Sequence, residues 1–337
     1  MSRNQPRFIH LRTHSEHSLL EGAVPVANLV KLAQEAGMPA VALTDTNAMF
    51  AALEFSVKAL DKGVQPIVGC QISVQSGAHR GGVVALAQSA EGWLNLMALS
   101  SCIYLRQGGH PPHVTEEELI AHAEGLILLS GGADGPVGRL IRAGDSAGAG
   151  ALLKRLHTGF GDRLYVELQR HKDEAGRLME AEAATEDEMV RLAYDLALPL
   201  VATNDVYFPT PDMFDAHDAL ICIAERAYVD QSQPRRRLTP NHDFKTAEEM
   251  AVLFADLPEA IENTVEIARR CAFAVSRHKP ILPRFAADEV DELRRQAREG
   301  LADRLRVIPH AVPVAEYEKR LDFELGIIEQ MGFPGYF

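Results

Sequence analysis

Pro39-Ala-Val-Ala-Leu43 runs straight into Thr44-Asp45-Thr46-Asn47, an apolar run closed by four polar residues. A short apolar run bounded by turn-forming side chains reads as a strand buried on both faces. Before it, Leu29, Val30, Leu32, Ala33 and Ala36 fall on one helical face, stopped by Gly37. After it, Phe50, Leu53, Phe55, Val57 and Leu60 mark a second helix, ended by Gly63. The strand pattern recurs at Phe8–Leu11, Pro66–Gly69, Gly82–Ala87, Gly125–Ser130, Leu164–Leu168 and Leu200–Thr203, mostly with helical patterns between. Strands alternating with helices predict an α/β fold of βα units around a parallel sheet. Periodicity leaves a closed barrel and an open doubly wound sheet both open.

Either architecture puts its ligand site at the carboxyl ends of the strands. Those positions hold His14, Ser15, Glu16 and His17; Thr44 to Asn47; Cys70 and Gln71; Gln169, Arg170 and His171; and Asn204, Asp205, Val206 and Tyr207. The polar groups therefore concentrate on one rim. Histidines mixed with carboxylates there suit a di- or trinuclear metal site for phosphoester hydrolysis. His17, His79 and His171 read more simply as hydrogen-bonded rim residues.

The chain has 337 residues, enough to bury a large core without disulfides or metal. Its 34 basic and 47 acidic side chains leave a net charge of −13, so the average surface repels phosphate backbones. Cys70, Cys102, Cys222 and Cys271 are far apart and read as packing cysteines of a reduced, cytosolic chain. The polar start Met1-Ser2-Arg3-Asn4-Gln5 has no signal-peptide core, and no apolar run approaches a membrane span, so a cytoplasmic location away from membranes is expected. Gly131-Gly132-Ala-Asp-Gly135 lacks the residues of a phosphate-binding loop.

After Pro209 the texture becomes helical, with patterns at Met213–Glu225, Glu248–Phe254, Pro258–Arg270, Val290–Arg306 and Tyr317–Met331. Arg235-Arg236-Arg237 forms a basic loop and a candidate nucleic-acid contact. The group Arg294, Arg295, Arg298, Arg304 and Arg306 is interleaved with acids and reads as a solvated face. Neither has interleaved aromatics, so base stacking is not indicated. The finish on Tyr336-Phe337, with no cap or polar tail, leads us to expect a fragment of a longer protein.

Leu11-Arg-Thr-His-Ser-Glu-His-Ser-Leu-Leu-Glu-Gly-Ala23 resembles the first motif of the polymerase-and-histidinol-phosphatase (PHP) domain. Val41 to Met49, Pro66 to Gln71 and Val201 to Tyr207 resemble its second, third and last motifs. Leu257 to Thr264 and Phe323 to Phe337 resemble the stretch leading into the palm of the replicative C-family polymerases, the alpha subunits of bacterial DNA polymerase III. The resemblance implies a PHP-type (β/α)7 barrel over residues 1–283, with a helical extension from about 209, then the truncated start of a palm region over 284–337. It implies DNA-templated DNA synthesis by a whole nucleotidyltransferase in DNA replication, with Mg held by palm carboxylates beyond Phe337. No catalytic residue of that reaction is expected within this chain.

Active members of the PHP family hold a cluster of divalent metals, and this sequence departs from their ligand pattern. Arg12 stands where the family has the first histidine of an H-x-H pair, of which His14 remains. Glu21 replaces an aspartate. Thr46, beside the retained Asp45, replaces a histidine, and Gln71 a glutamate. Gly82 and Gly132 align with a histidine and a cysteine, and in the last motif Asp205 stays while Tyr207 replaces a histidine. A guanidinium among the ligands opposes cation binding. A vestigial, metal-free site is therefore expected, Arg12 pairing with Glu21, Asp45 or Asp205, with His14 and Asp205 the residual metal candidates. The implied role is structural: docking of the proofreading exonuclease (epsilon) subunit and other replicase subunits, with primer-template DNA met by the full-length protein. The alternatives are an active PHP phosphoesterase using Zn or Mn, as exonuclease or phosphatase, and the error-prone paralogue of the same polymerase family.

Overall fold

A computed structural model describes residues 7–337 except 107–110, 174, 280 and 281; the polar start Met1 to Gln5 lies outside the described residues. Internal contacts divide the chain into two units, Met1–Ser276 and Arg277–Phe337.

Among the described residues the first unit is built on seven strands: β1 (Ala40–Leu43), β2 (Gln65–Ser76), β3 (His79–Ala87), β4 (Val114–Thr115), β5 (Leu126–Leu129), β6 (Leu164–Gln169) and β7 (Leu200–Thr203). Their order is β1-β2-β3-β5-β6-β7, with β4 on the far end of β2. β1, β5, β6 and β7 are buried at every position, as expected of apolar strands covered on both faces. Helices Val26–Glu35 and Ala52–Asp61 flank β1, where their apolar spacing places them.

The sheet is mixed, which corrects the expectation of a wholly parallel one. β3 runs antiparallel to both β2 and β5, while the β1–β2, β5–β6 and β6–β7 pairs are parallel. The cause is local. Ser76 pairs with His79 across a two-residue loop, and Gly77 takes a φ of +55° there. So short a loop reverses the chain, so β2 and β3 form a hairpin, not a βα unit. Cys70 and Gln71 consequently lie in the middle of a twelve-residue strand and not at its end.

Phe8–Leu11, expected as a strand, forms no regular ladder, yet its neighbourhood does a strand's work. Ala42 N–H donates to the His10 carbonyl (2.8 Å) and Thr44 N–H to that of Thr13 (2.9 Å). On the other side Val206 N–H reaches the Arg12 carbonyl (3.2 Å), and His14 N–H that of Val206 (2.8 Å). The segment thus lies between β1 and the exit of β7, and the sheet curls until both its edges meet one stretch of chain. The stretch is anchored from outside, where the buried Thr264 hydroxyl accepts from Ile9 N–H (3.0 Å). Thr264 belongs to helix Pro258–Arg270, whose Asn263 also donates to the Leu200 carbonyl (2.8 Å).

The second unit is a helical hairpin, Glu289–Val307 and Val314–Gln330. Arg298 pairs with Asp322 across it (2.9 Å), and Arg294 with Glu329. Leu325 is buried, while Phe323, Met331, Tyr336 and Phe337 are largely exposed.

Candidate functional site

The exits of the curled strands bring Arg12, His14 and Asp205 together. Arg12 Nε donates to Asp205 Oδ1 (2.9 Å) and Nη1 to Glu167 Oε1 (3.2 Å). His14 Nε2 lies 2.9 Å from the same Asp205 oxygen. Asp205, two residues past the end of β7, holds a left-handed φ of +49°. Burial would raise the Asp205 pKa, but the Arg12 charge and the His14 hydrogen bond hold it well below the ordinary carboxylate value. Burial likewise opposes the charge on Arg12, and Asp205 and Glu167 together more than restore it.

Glu167 is fully buried in β6 and was not among the sequence candidates. It accepts from Arg12, from the Thr203 hydroxyl (2.6 Å) and from Gly131 N–H (2.9 Å). Its signal was available: a carboxylate inside Leu164-Tyr-Val-Glu-Leu168 is too costly to bury unpaired. The structure thus places Arg12 on Asp205 and Glu167, and on neither Glu21 nor Asp45.

Asp45 is buried beside this group but turned away from it. Its oxygens accept from Ser15 N–H (2.7 Å), Ser15 Oγ (2.8 Å) and Ser18 Oγ (2.7 Å). Ser18 also faces His14 Nδ1 (3.2 Å), as does Thr46 Oγ1 (3.4 Å), which accepts from Gln71 Nε2 (3.4 Å). Gln71 Oε1 is buried without a partner. Gly82 lies next to Gln71, where a Cβ would come within 3.3 Å of its side chain, and a Cβ on Gly132 would meet Gln169 Oε1 at 2.6 Å. Tyr207 stacks on the His14 ring (4.3 Å between centroids, 8° between planes). Burial pushes its hydroxyl pKa up, and the Asp205 charge adds to this. Cys70, buried beside Asp45, has its thiol pushed up to about 12 by burial, which keeps it in the protonated form.

Glu21 pairs with Arg236 (3.1 Å), whose guanidinium lies over the Tyr207 ring. Arg235 is gripped by both oxygens of Asp218 (2.6 Å each). Arg237 lies 3.8 Å from the same carboxylate and over the Phe214 ring. The basic loop is therefore folded onto the first unit's own acids.

A divalent cation needs several lone pairs converging on one point. Here Asp205 Oδ1 is spent on Arg12 and His14, and Asp45 on serines, while a guanidinium occupies the centre. Among the described residues no group of three His, Cys, Asp or Glu side chains is arranged to hold a metal ion. The donor set does not fit the cluster that the family implies. No helix of the described residues is long and apolar enough to cross a membrane.

The PHP domain family model matches residues 10–171. The chain is 53% identical over 343 residues to a DNA polymerase III subunit alpha of Caulobacter vibrioides, covering 98% of this chain and 29% of that protein. It is 39% identical to the Escherichia coli (strain K12) protein of the same name, over 99% of this chain and 29% of that one. The chain thus spans less than a third of the length of these relatives. Among solved structures, an amidohydrolase from Chromobacterium violaceum matches with 14% identity and a TM-score of 0.41, covering 63% of this chain and 96% of that one.

Proposed function

We propose, from the premise that residues 10–171 belong to the PHP family and that 98% of the chain is similar to DNA polymerase III alpha subunits, that this chain is the PHP-bearing part of such a polymerase. The whole protein would extend a primer on a DNA template, its two Mg ions held by carboxylates outside this chain. Within it, the curled barrel serves as a metal-free structural and docking domain for the proofreading exonuclease (epsilon) subunit and other replicase subunits. The observation that carries the metal-free reading is Arg12, whose guanidinium lies buried between Asp205 and Glu167.

The first test is metal content of the chain after incubation with Zn or Mn, together with hydrolysis of a phosphodiester substrate. The expected result is less than stoichiometric metal and no turnover. Two or more tightly held ions, with turnover lost in His14→Ala, would establish the rival reading, an active metal-dependent phosphoesterase. Docking is tested by capture of a purified exonuclease subunit on the immobilised chain; failure to capture it overturns the docking role and leaves the metal result standing.

A further inference from the structure

Helix Phe214–Glu225 departs from the pattern of a surface helix, which turns polar side chains to water. Its inner side buries Phe214, His217, Asp218, Ile221 and Cys222. The opposite side carries Ala216, Ala219, Leu220, Ile223 and Ala224, at the i, i+3, i+4, i+7, i+8 spacing of one face. None of the five is polar. A helix apolar on every side is one that is covered on every side. Here Ala216, Ile223 and Ala224 are exposed, Ile223 to 66%, and just past the helix Tyr228 and Val229 are exposed as well.

The loop before Glu21 abuts this helix, since His217 Nε2 donates to the Glu21 carbonyl (2.6 Å). That loop presents Leu19, 71% exposed, and Leu20, which holds a left-handed φ of +62°. A branched apolar side chain seldom takes that conformation, and it persists only where the surroundings impose it. They do so here. Ser15 and Ser18 are fixed on Asp45, and Gly22 passes so close to Ser15 that a Cβ would fall 2.1 Å from its carbonyl oxygen. Two leucines are held outward beside an apolar helix face, by a turn that has little freedom to fold them in.

Charge and length narrow what covers this surface. Asp212, Asp215 and Glu225 border the helix face without an ion pair among the described residues, with Arg226 at its end. A second copy of the chain would set the same acids against these, and an anionic lipid surface would be repelled likewise. The chain spans only 29% of the Caulobacter vibrioides protein it matches, so most of that protein's length lies outside it. Given the polymerase reading above, on which this rests, we propose that the outer face of helix Phe214–Glu225, with Leu19 and Leu20, seats a stretch of the same polymerase chain, one that the palm resemblance places beyond Phe337. The seated stretch sets apolar side chains on Leu220 and Ile223 and basic ones against Asp215 and Glu225. Ala216, Ala219 and Ala224 let it approach the helix closely. Because it is tethered to the surface it covers, its effective concentration is high and a modest apolar area holds it.

The test places Ala216→Cys in this chain alone and in a chimera where the chain replaces the matching stretch of the Caulobacter vibrioides protein. Maleimide labelling of that cysteine is followed by peptide mass spectrometry, and primer extension reports whether the chimera is a working polymerase. Labelling should be about tenfold or more slower in the chimera than in the chain alone, because a covered thiol reacts only through local opening. Adding Asp215→Lys and Glu225→Lys should speed it in the chimera; a rate indifferent to them overturns the charge pairing. A chimera that extends primers yet labels as fast as the chain alone overturns the seat and leaves the polymerase reading standing. A soluble chimera without primer extension overturns that reading and the seat with it. Where the chimera fails to fold, a cysteine at the aligned position of the Caulobacter protein, whole against cut to the matching stretch, decides by the same ratio. Protection in the chain alone that grows with its concentration gives the face to a second copy. A fast-labelling chimera protected only by added exonuclease subunit gives it to a separate protein, and either result overturns the proposal.

Discussion

Arg12 is held by two carboxylates that have little else to neutralise them, and this makes its removal asymmetric. Arg12→Met leaves Asp205 and Glu167 buried without their cation, and breaking a buried pair from one side costs about 3–5 kcal/mol. The triple variant Arg12→Met, Glu167→Gln, Asp205→Asn removes the charges together and should recover most of that loss, as urea unfolding would measure. A triple variant no more stable than Arg12→Met would mean that lost packing, not unpaired charge, sets the cost. The same contacts fix the sign of a pH effect. The folded pKa of Asp205 is depressed, so its contribution is complete above the unfolded value, about 3.9, and is lost as pH falls toward the folded one. In Arg12→Met the main force holding that pKa down is gone and burial raises it, so the loss of stability between about pH 5 and 3 should shrink or reverse. Thermal unfolding at several pH values checks this. Arg12, His14 and Asp205 were legible as a group because their motifs can be read in the sequence. Glu167 was not, because strand periodicity marks which residues are buried and is silent on which buried acid meets which base.

At the scale of elements, the hairpin of β2 and β3 decides how the sheet closes. β3 turns back beside β5, and the loop after β5 passes over its backbone. At Gly131 this passage is so close that a Cβ would fall 1.8 Å from the Gly82 carbonyl oxygen, and the residue also has a φ of +93°. Gly131→Ala must therefore move backbone and not merely side chains. It should cost about 2 kcal/mol or more, well beyond the usual mutation, and should disturb the Gly131 N–H that serves Glu167. A loss under about 0.5 kcal/mol in urea unfolding would show that the loop relaxes freely. Six of the seven expected strands were legible from apolar runs alone, but the direction of β3 was not. Alternation through Ile72, Val74 and Ser76 up to Gly77 carried the hairpin signal, and a search for βα units passes over it. Phe8–Leu11 escapes for the opposite reason. It is buried like a strand, yet only the His10 carbonyl accepts from β1, Ile9 N–H goes to the Thr264 hydroxyl, and the bonds to the exit of β7 begin at Arg12, so it completes no ladder.

For the whole molecule the question is whether a chain of net charge −13 meets DNA by itself. Average charge cannot answer, since a local basic patch can bind against the mean field. The placement of the arginines bears on it more directly. Arg235 is closed on Asp218, Arg236 on Glu21, Arg294 on Glu329, Arg295 on Glu292 and Glu299, and Arg298 on Asp322. A phosphate would have to displace a carboxylate already in contact, which removes most of the counterion-release gain that drives non-specific binding. Fluorescence anisotropy with a primer-template duplex at about 0.15 M salt should therefore detect no binding tighter than the weak end of the non-specific range, about 10⁻⁴ M. Asp218→Asn together with Glu21→Gln uncovers Arg235 and Arg236. If that loop faces DNA in the longer relatives, the double variant should bind more tightly and with a salt dependence steeper by about two phosphate contacts. Micromolar binding by the unmodified chain, falling steeply with salt, would show instead that these ion pairs open readily and that the basic loop grips DNA despite its acids.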